Sequence, residues 1–171
     1  MTKRVLLVTI LTLLTAMVAG GFNLVYGQDR GETKAKIGNA TVTIEYGKPS
    51  LKGRDPMKMI RPGQPWRMGS NAPTTIEADA DLNIGGTTVP KGNHVLLALQ
   101  DEAGKWWLIV SSKSNFEYEP SAKLAQGPME LSKATDSVEQ LEIKLSGKGD
   151  HGTIAVAWGT LRLAADIEPA K

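Results

Sequence analysis

Trp66, Arg67 and Asn71 stand within one short block, Pro65-Trp66-Arg67-Met68-Gly69-Ser70-Asn71. An indole face, a guanidinium fork and an amide suit the recognition of a sugar or a carboxylate. The ring stacks, and the polar groups hydrogen-bond the oxygens at two points. Upstream, Tyr46-Gly47-Lys48-Pro49-Ser50-Leu51-Lys52-Gly53-Arg54 supplies a second aromatic ring and three cations. Tyr46, Lys48, Lys52 and Arg54 are therefore placed in the same groove as Trp66, Arg67 and Asn71. The competing reading makes Trp66 a core plug and Arg67 the buried ion-pair partner that fixes a long loop, and it makes Tyr46 a core residue.

Other chemistries are thinly supplied. The chain has no Cys, and its two histidines, His94 and His151, form no His-x-His or His-Glu-x-x-His arrangement, so no metal is expected. Asp79-Ala80-Asp81 lacks the spaced oxygen donors of a calcium loop and reads as a solvated turn. Ser70 lies outside any Gly-x-Ser-x-Gly frame, no Ser-x-x-Lys occurs, and Ser50 with Lys52 is a common chance spacing. Glu117 and Glu119 share a face if extended, which suits a solvated edge as well as a glycosidase pair. No glycine loop opens a helix to cradle phosphate. No catalytic residue and no cofactor is expected.

The elements that must position these residues are strands. Val42, Ile44 and Tyr46 alternate with Thr41, Thr43 and Glu45, a period of two. Pro49, Pro56, Pro62 and Pro65 keep the following loop from forming a long helix. Thr74 to Ala78 resumes extended structure, Gly85-Gly86 suits a tight hairpin, and Val89 to Asn93 turns again. His94 to Gln100 is nearly continuously apolar, as in a strand covered on both faces, and Trp106 to Ser111 returns as its partner. Adjacent strand residues point to opposite faces, and both Trp106 and Trp107 are expected to pack inward against one layer or the other. Ser121 to Gln126 suits one helical turn. Val138, Leu141, Ile143 and Leu145 mark a strand, Gly147 to Gly152 a turn, and Ile154, Val156 and Trp158 another strand. Such a pattern predicts an all-β fold, an antiparallel β-sandwich or a jelly-roll-like single domain.

The ends set the address. Met1-Thr2-Lys3-Arg4 is basic, Val5 to Val25 is uncharged, and charge returns at Asp29. This is the plan of a secretory signal, placed at residues 1–27 with cleavage after Gly27 or nearer Gly20. An uncleaved anchor is the alternative, although Gly20, Gly21 and Asn23 interrupt the apolar run. The protein is thus expected to be exported, periplasmic or extracellular, meeting the membrane only through this segment. Of 20 Lys and Arg, two lie in the segment, which leaves 18 cations against 18 acids. That balance gives no reason to expect nucleic acid as a partner. The rest reads as a flexible leader over 28–39, one β domain over 40–167 and a tail over 168–171.

Three blocks in order resemble the bacterial family DUF2911: Tyr46 to Arg54, Pro65 to Ile76, and Val89-Pro90-Lys91-Gly92. The resemblance extends from about Ala40 to Ile167. It implies an exported all-β domain and brings no activity with it. Members often carry Glu where this chain has Ala72, and an aromatic where it has Asn93-His94. The first departure removes a carboxylate from the loop and weakens an acid–base proposal there. The expected function is therefore binding of a small polar ligand or glycan through the Trp66–Arg67–Asn71 loop. The alternatives are a structural or protein-interaction module of the cell envelope and, below that, a hydrolase.

Overall fold

The computed structural model describes residues 29–113 and 118–171. The expected signal segment lies outside the described residues. The described chain is all-β, and its strands join into one large antiparallel sheet with almost no helix.

β1 (Arg30–Ile37) pairs with β2 (Ala40–Gly47) along its whole length. The expected flexible leader over 28–39 is therefore corrected: most of it is an edge strand. Its outward positions are Arg30, Glu32, Lys34 and Lys36, while Gly31, Thr33 and Ala35 are partly covered. Small residues on the covered face give no apolar alternation, and charges on the open face guard an edge against unwanted pairing. A single helical turn, α1 (Pro56–Met59), is capped by Asp55, whose carboxylate accepts the Met57 N–H at 3.0 Å. β3 (Thr75–Ala78) then joins β2.

β4 (Leu82–Ile84) and β5 (Thr87–Val89) form the expected Gly85–Gly86 hairpin, both glycines having positive φ. β6 (Gly92–Gln100) and β7 (Trp106–Ser111) form the hairpin at the centre of the sheet. Leu96, Ala98, Trp106 and Leu108 face the main core, and Val95, Leu97 and Ile109 form a small second cluster with Leu99 and Tyr118. That strand pair is covered on both faces, as its apolar run implies. Trp107, however, is only partly buried, and its Nε1–H donates to Asp101 Oδ2 at 2.9 Å.

Beyond β7, Pro120–Ala122 form a single 3-10 turn, and β8 (Lys123–Lys148) starts at once, where a helical turn through Gln126 was expected. β8 and β9 (His151–Pro169) make one long hairpin whose register shifts twice, around residues 134–137 and 139–141. These bulges bend it. Its first half pairs with β7. Its second half lies against β1, with the Leu145 N–H donating to Thr33 Oγ1 at 3.0 Å and the Gly38 N–H to Gly149 O at 2.6 Å. The strand order is β1-β2-β3-β6-β7-β8-β9-β4-β5, and the sheet packs around one main apolar core.

Candidate functional site

The motif loop, residues 48–74, is bound to the sheet at several points. Where β8 leaves β9 at its second bulge, the loop takes over its hydrogen bonds: Leu51 N–H to Glu139 O at 2.9 Å and Leu141 N–H to Pro49 O at 3.0 Å. Arg54 closes the next turn by donating to the Leu51 and Ser50 carbonyls at 2.9 and 3.0 Å. Two of its guanidinium nitrogens are thus turned onto backbone, and Arg54 acts as a turn clamp outside the depressions that the other motif residues line.

Pro62 and Gly63 occupy the centre of a turn closed by Gln64 N–H to Arg61 O at 3.1 Å. Gly63 has φ 76, the left-handed value that the third position of a type II turn requires. The Gly63 N–H donates to Gln100 O at 2.7 Å, and Trp66 exchanges two backbone hydrogen bonds with Ala98, at 2.6 and 2.8 Å. Trp66 is thereby a one-residue extension of the sheet beside β6, with a fixed backbone.

Its ring lies on Trp158 of β9, with centroids 5.8 Å apart and planes inclined by 7°. Trp158 is buried and Trp66 only partly so. The aromatic face thus has a buried support and an accessible portion. Around it Arg61, Gln64, Pro65 and Arg67 join Met59, Ile60 and Gly69 in a shallow concavity of about 380 Å³. Arg61 and Arg67 are both exposed, and Arg67 has a partner within the protein. Exposure at Arg67 corrects the reading of a buried ion pair.

Met68 is fully buried with φ 46, and Thr74, itself buried, donates its hydroxyl to Met68 O at 2.9 Å. After this anchor the chain runs past the end of β2. A Cβ at Gly47 would stand 2.3 Å from Ser70 O, so the two backbones meet where only glycine fits. This contact joins the Tyr46-Gly47 block to the Gly69-Ser70 block.

The seven residues assigned to one groove are accordingly divided. Trp66 and Arg67 line the concavity above. Lys48, Lys52 and Asn71 line a separate depression, and Lys48 also borders a third with Tyr46. Tyr46 is 4% exposed, and its ring covers Gly31 on β1, where a Cβ would come within 2.4 Å. It belongs to the core. Arg61, Gln64 and Trp158 were missed. Arg61 and Gln64 flank the Pro62-Gly63 turn, a signal in the sequence, whereas Trp158 arrives from a strand remote in sequence.

Among the described residues no group of three or more His, Asp or Glu side chains is placed to hold a metal ion. His94 Nε2 lies 2.7 Å from Pro90 O, and His151 Nδ1 3.1 Å from Glu168 Oε1. Asp79 accepts the Thr41 N–H at 2.6 Å and Asp81 the Lys91 N–H at 2.8 Å, so both carboxylates brace turns. Glu119 pairs with Lys113, and Glu117 lies outside the described residues. No described helix is long and apolar enough to cross a membrane.

The chain belongs to the family described as "Protein of unknown function (DUF2911)", whose model matches residues 29–167. The match starts at β1, in keeping with that strand being part of the domain. No curated protein and no solved structure matches the chain.

Proposed function

We propose that this domain binds a small polar ligand carrying a ring, of the glycan class, in the concavity formed by Trp66, Arg67, Arg61 and Gln64. The observation that carries the reading is Trp66: a partly accessible indole on a fixed backbone, supported from behind by Trp158, with two exposed guanidiniums at its rim. The face of a sugar ring stacks on an indole, while hydroxyl or carboxylate oxygens accept from guanidinium and amide donors. A carboxylate-bearing sugar satisfies both parts of the wall, because Arg presents its donors as a planar fork.

Among the described residues, those that line the concavity supply donors and an apolar face and include no imidazole or carboxylate, which supports binding over hydrolysis. The envelope-scaffold alternative calls for an exposed apolar face. Among the described residues Leu131 is the one large hydrophobic side chain left well exposed, which weighs against that alternative. Export to the periplasm or the cell exterior belongs to the same proposal, supported by the basic start and the uncharged run Val5 to Val25.

A thermal-shift screen of the purified protein against neutral sugars, sugar carboxylates, nucleotides and metal ions tests the ligand class. The reading expects stabilisation by a sugar or sugar carboxylate that disappears in Trp66→Ala. Stabilisation by metal ions or nucleotides alone contradicts it.

A further inference from the structure

A second polar depression, of about 280 Å³, gathers Lys48, Ser50, Lys52, Ser70 and Asn71 beside Asp29 and Gln140. One carboxylate, that of Asp29, lies in the depression itself, and that of Glu139 stands beside it. Asp29 Oδ2 accepts from Gln140 Nε2 at 3.1 Å, and the neighbouring Glu139 accepts the Lys52 backbone N–H at 2.9 Å. Among the described residues, neither the Lys48 nor the Lys52 ammonium forms an ion pair. Nor, among the described residues, do the hydroxyls of Ser50 and Ser70 or the amide of Asn71 hydrogen-bond a protein group. Two ammoniums, two hydroxyls and an amide therefore line the depression with their donors unspent, against the single lining carboxylate of Asp29.

The backbone beneath them is held firmly. The Lys48 N–H donates to Asp29 O at 2.8 Å, and Leu51 and Leu141 tie residues 49–51 to the bulge of β8. Lys52 and Asn71 have φ 50 and 65, so two of the three left-handed non-glycine residues of the described chain line this one depression. Such conformations are unfavourable for side chains other than glycine, and they persist where the surroundings impose them.

We infer that this depression is a binding site for a small tetrahedral oxyanion of the phosphate class, free or as the monoester group of a larger ligand. Several acceptor oxygens with a double negative charge match two ammoniums and a set of neutral donors better than a single carboxylate does. Lys48 is half-buried and Lys52 is exposed. The site is separate from the Trp66 concavity and does not depend on that proposal.

Chemical-shift mapping of the full chain during titration with inorganic phosphate, at constant ionic strength, tests it. The expected result is saturable movement of the Lys48, Ser50, Lys52, Ser70 and Asn71 amides, with Trp66 unmoved. Lys48→Met together with Lys52→Asn, the latter a residue that accepts left-handed φ, should weaken phosphate binding by about tenfold or more. Glycerol phosphate binding more tightly than inorganic phosphate assigns a phosphomonoester, and the reverse order assigns the free anion. Absence of saturable shifts in the wild type, unchanged affinity in the double variant, or acetate binding as well as phosphate overturns the proposal. The wild-type mapping needs no variant to fold.

Discussion

The indole of Trp66 lies parallel to that of Trp158, 5.8 Å between centroids and 7° between planes. One ring comes from the motif loop and the other from β9, so the contact carries the loop's position directly onto the core. An offset stack at this distance is a favoured aromatic geometry. It also means that the ring proposed to meet ligand is the same ring that holds the loop in place.

Truncation should separate these two roles. Trp158→Ala is expected to cost about 3–5 kcal/mol, as for other buried aromatic rings, and Trp66→Ala less, because Trp66 is only partly buried. A double-mutant cycle in urea should show a coupling of about 0.5–1.5 kcal/mol between them. Strict additivity would mean that the stack contributes nothing beyond area.

The meeting of Gly47 with Ser70 gives a sharper stability test. Gly47→Ala places a methyl group 2.3 Å from the Ser70 carbonyl oxygen, so one of the two backbones must shift. The expected loss is about 1–3 kcal/mol or more, read as a lowered denaturation midpoint. Ser70→Ala leaves that carbonyl in place and should be nearly silent for stability.

Arg61 and Arg67 are predicted to be dispensable for folding. Both are exposed, so Arg61→Ala and Arg67→Ala should each change stability by less than about 1 kcal/mol. Each should still reduce the ligand-induced thermal shift. A loss of about 3–5 kcal/mol at Arg67 would restore the buried ion-pair reading.

These particulars show what the sequence could disclose. The β6–β7 hairpin was legible because Val95, Leu97 and Ile109 cover one face while Leu96, Ala98 and Leu108 fill the other. β1 was not, because its covered face carries Gly31, Thr33 and Ala35, whose partners are remote: Tyr46 closes over Gly31, and Thr33 accepts from Leu145. The site was half legible. Trp66 and Arg67 were found together, but the buried Met68 separates them from Asn71 along the chain, and no local pattern announces a left-handed methionine. Trp158 and Gln140 enter only through the bends of β8 and β9, a property of the folded sheet.

Acid should loosen two turns in a defined direction. Asp101 is held below the usual carboxylate range chiefly by the Trp107 indole N–H, with the Lys105 and Ala103 N–H groups adding to it; Asp79 is held low by Thr41. A lowered folded pKa contributes stability that is present above the unfolded value, about 3.9 for Asp, and is lost as pH falls through the folded value. The wild type should therefore lose stability below about pH 4. Asp101→Asn should weaken that dependence and lower stability at neutral pH. An unchanged acid limb in Asp101→Asn would show that the Trp107 contact does not carry it.

Trp66 and its flanking guanidiniums are proposed to form a ligand wall. The most direct measurement is a titration of the purified protein with glucuronate, a ring bearing a carboxylate, following the Trp66 indole N–H and the Arg61 and Arg67 guanidinium signals by NMR. Saturable shifts are expected at all three, reduced by Arg67→Ala and abolished by Trp66→Ala, with the Lys48–Asn71 depression unperturbed. Saturation seen elsewhere on the sheet, with Trp66 silent, would contradict it.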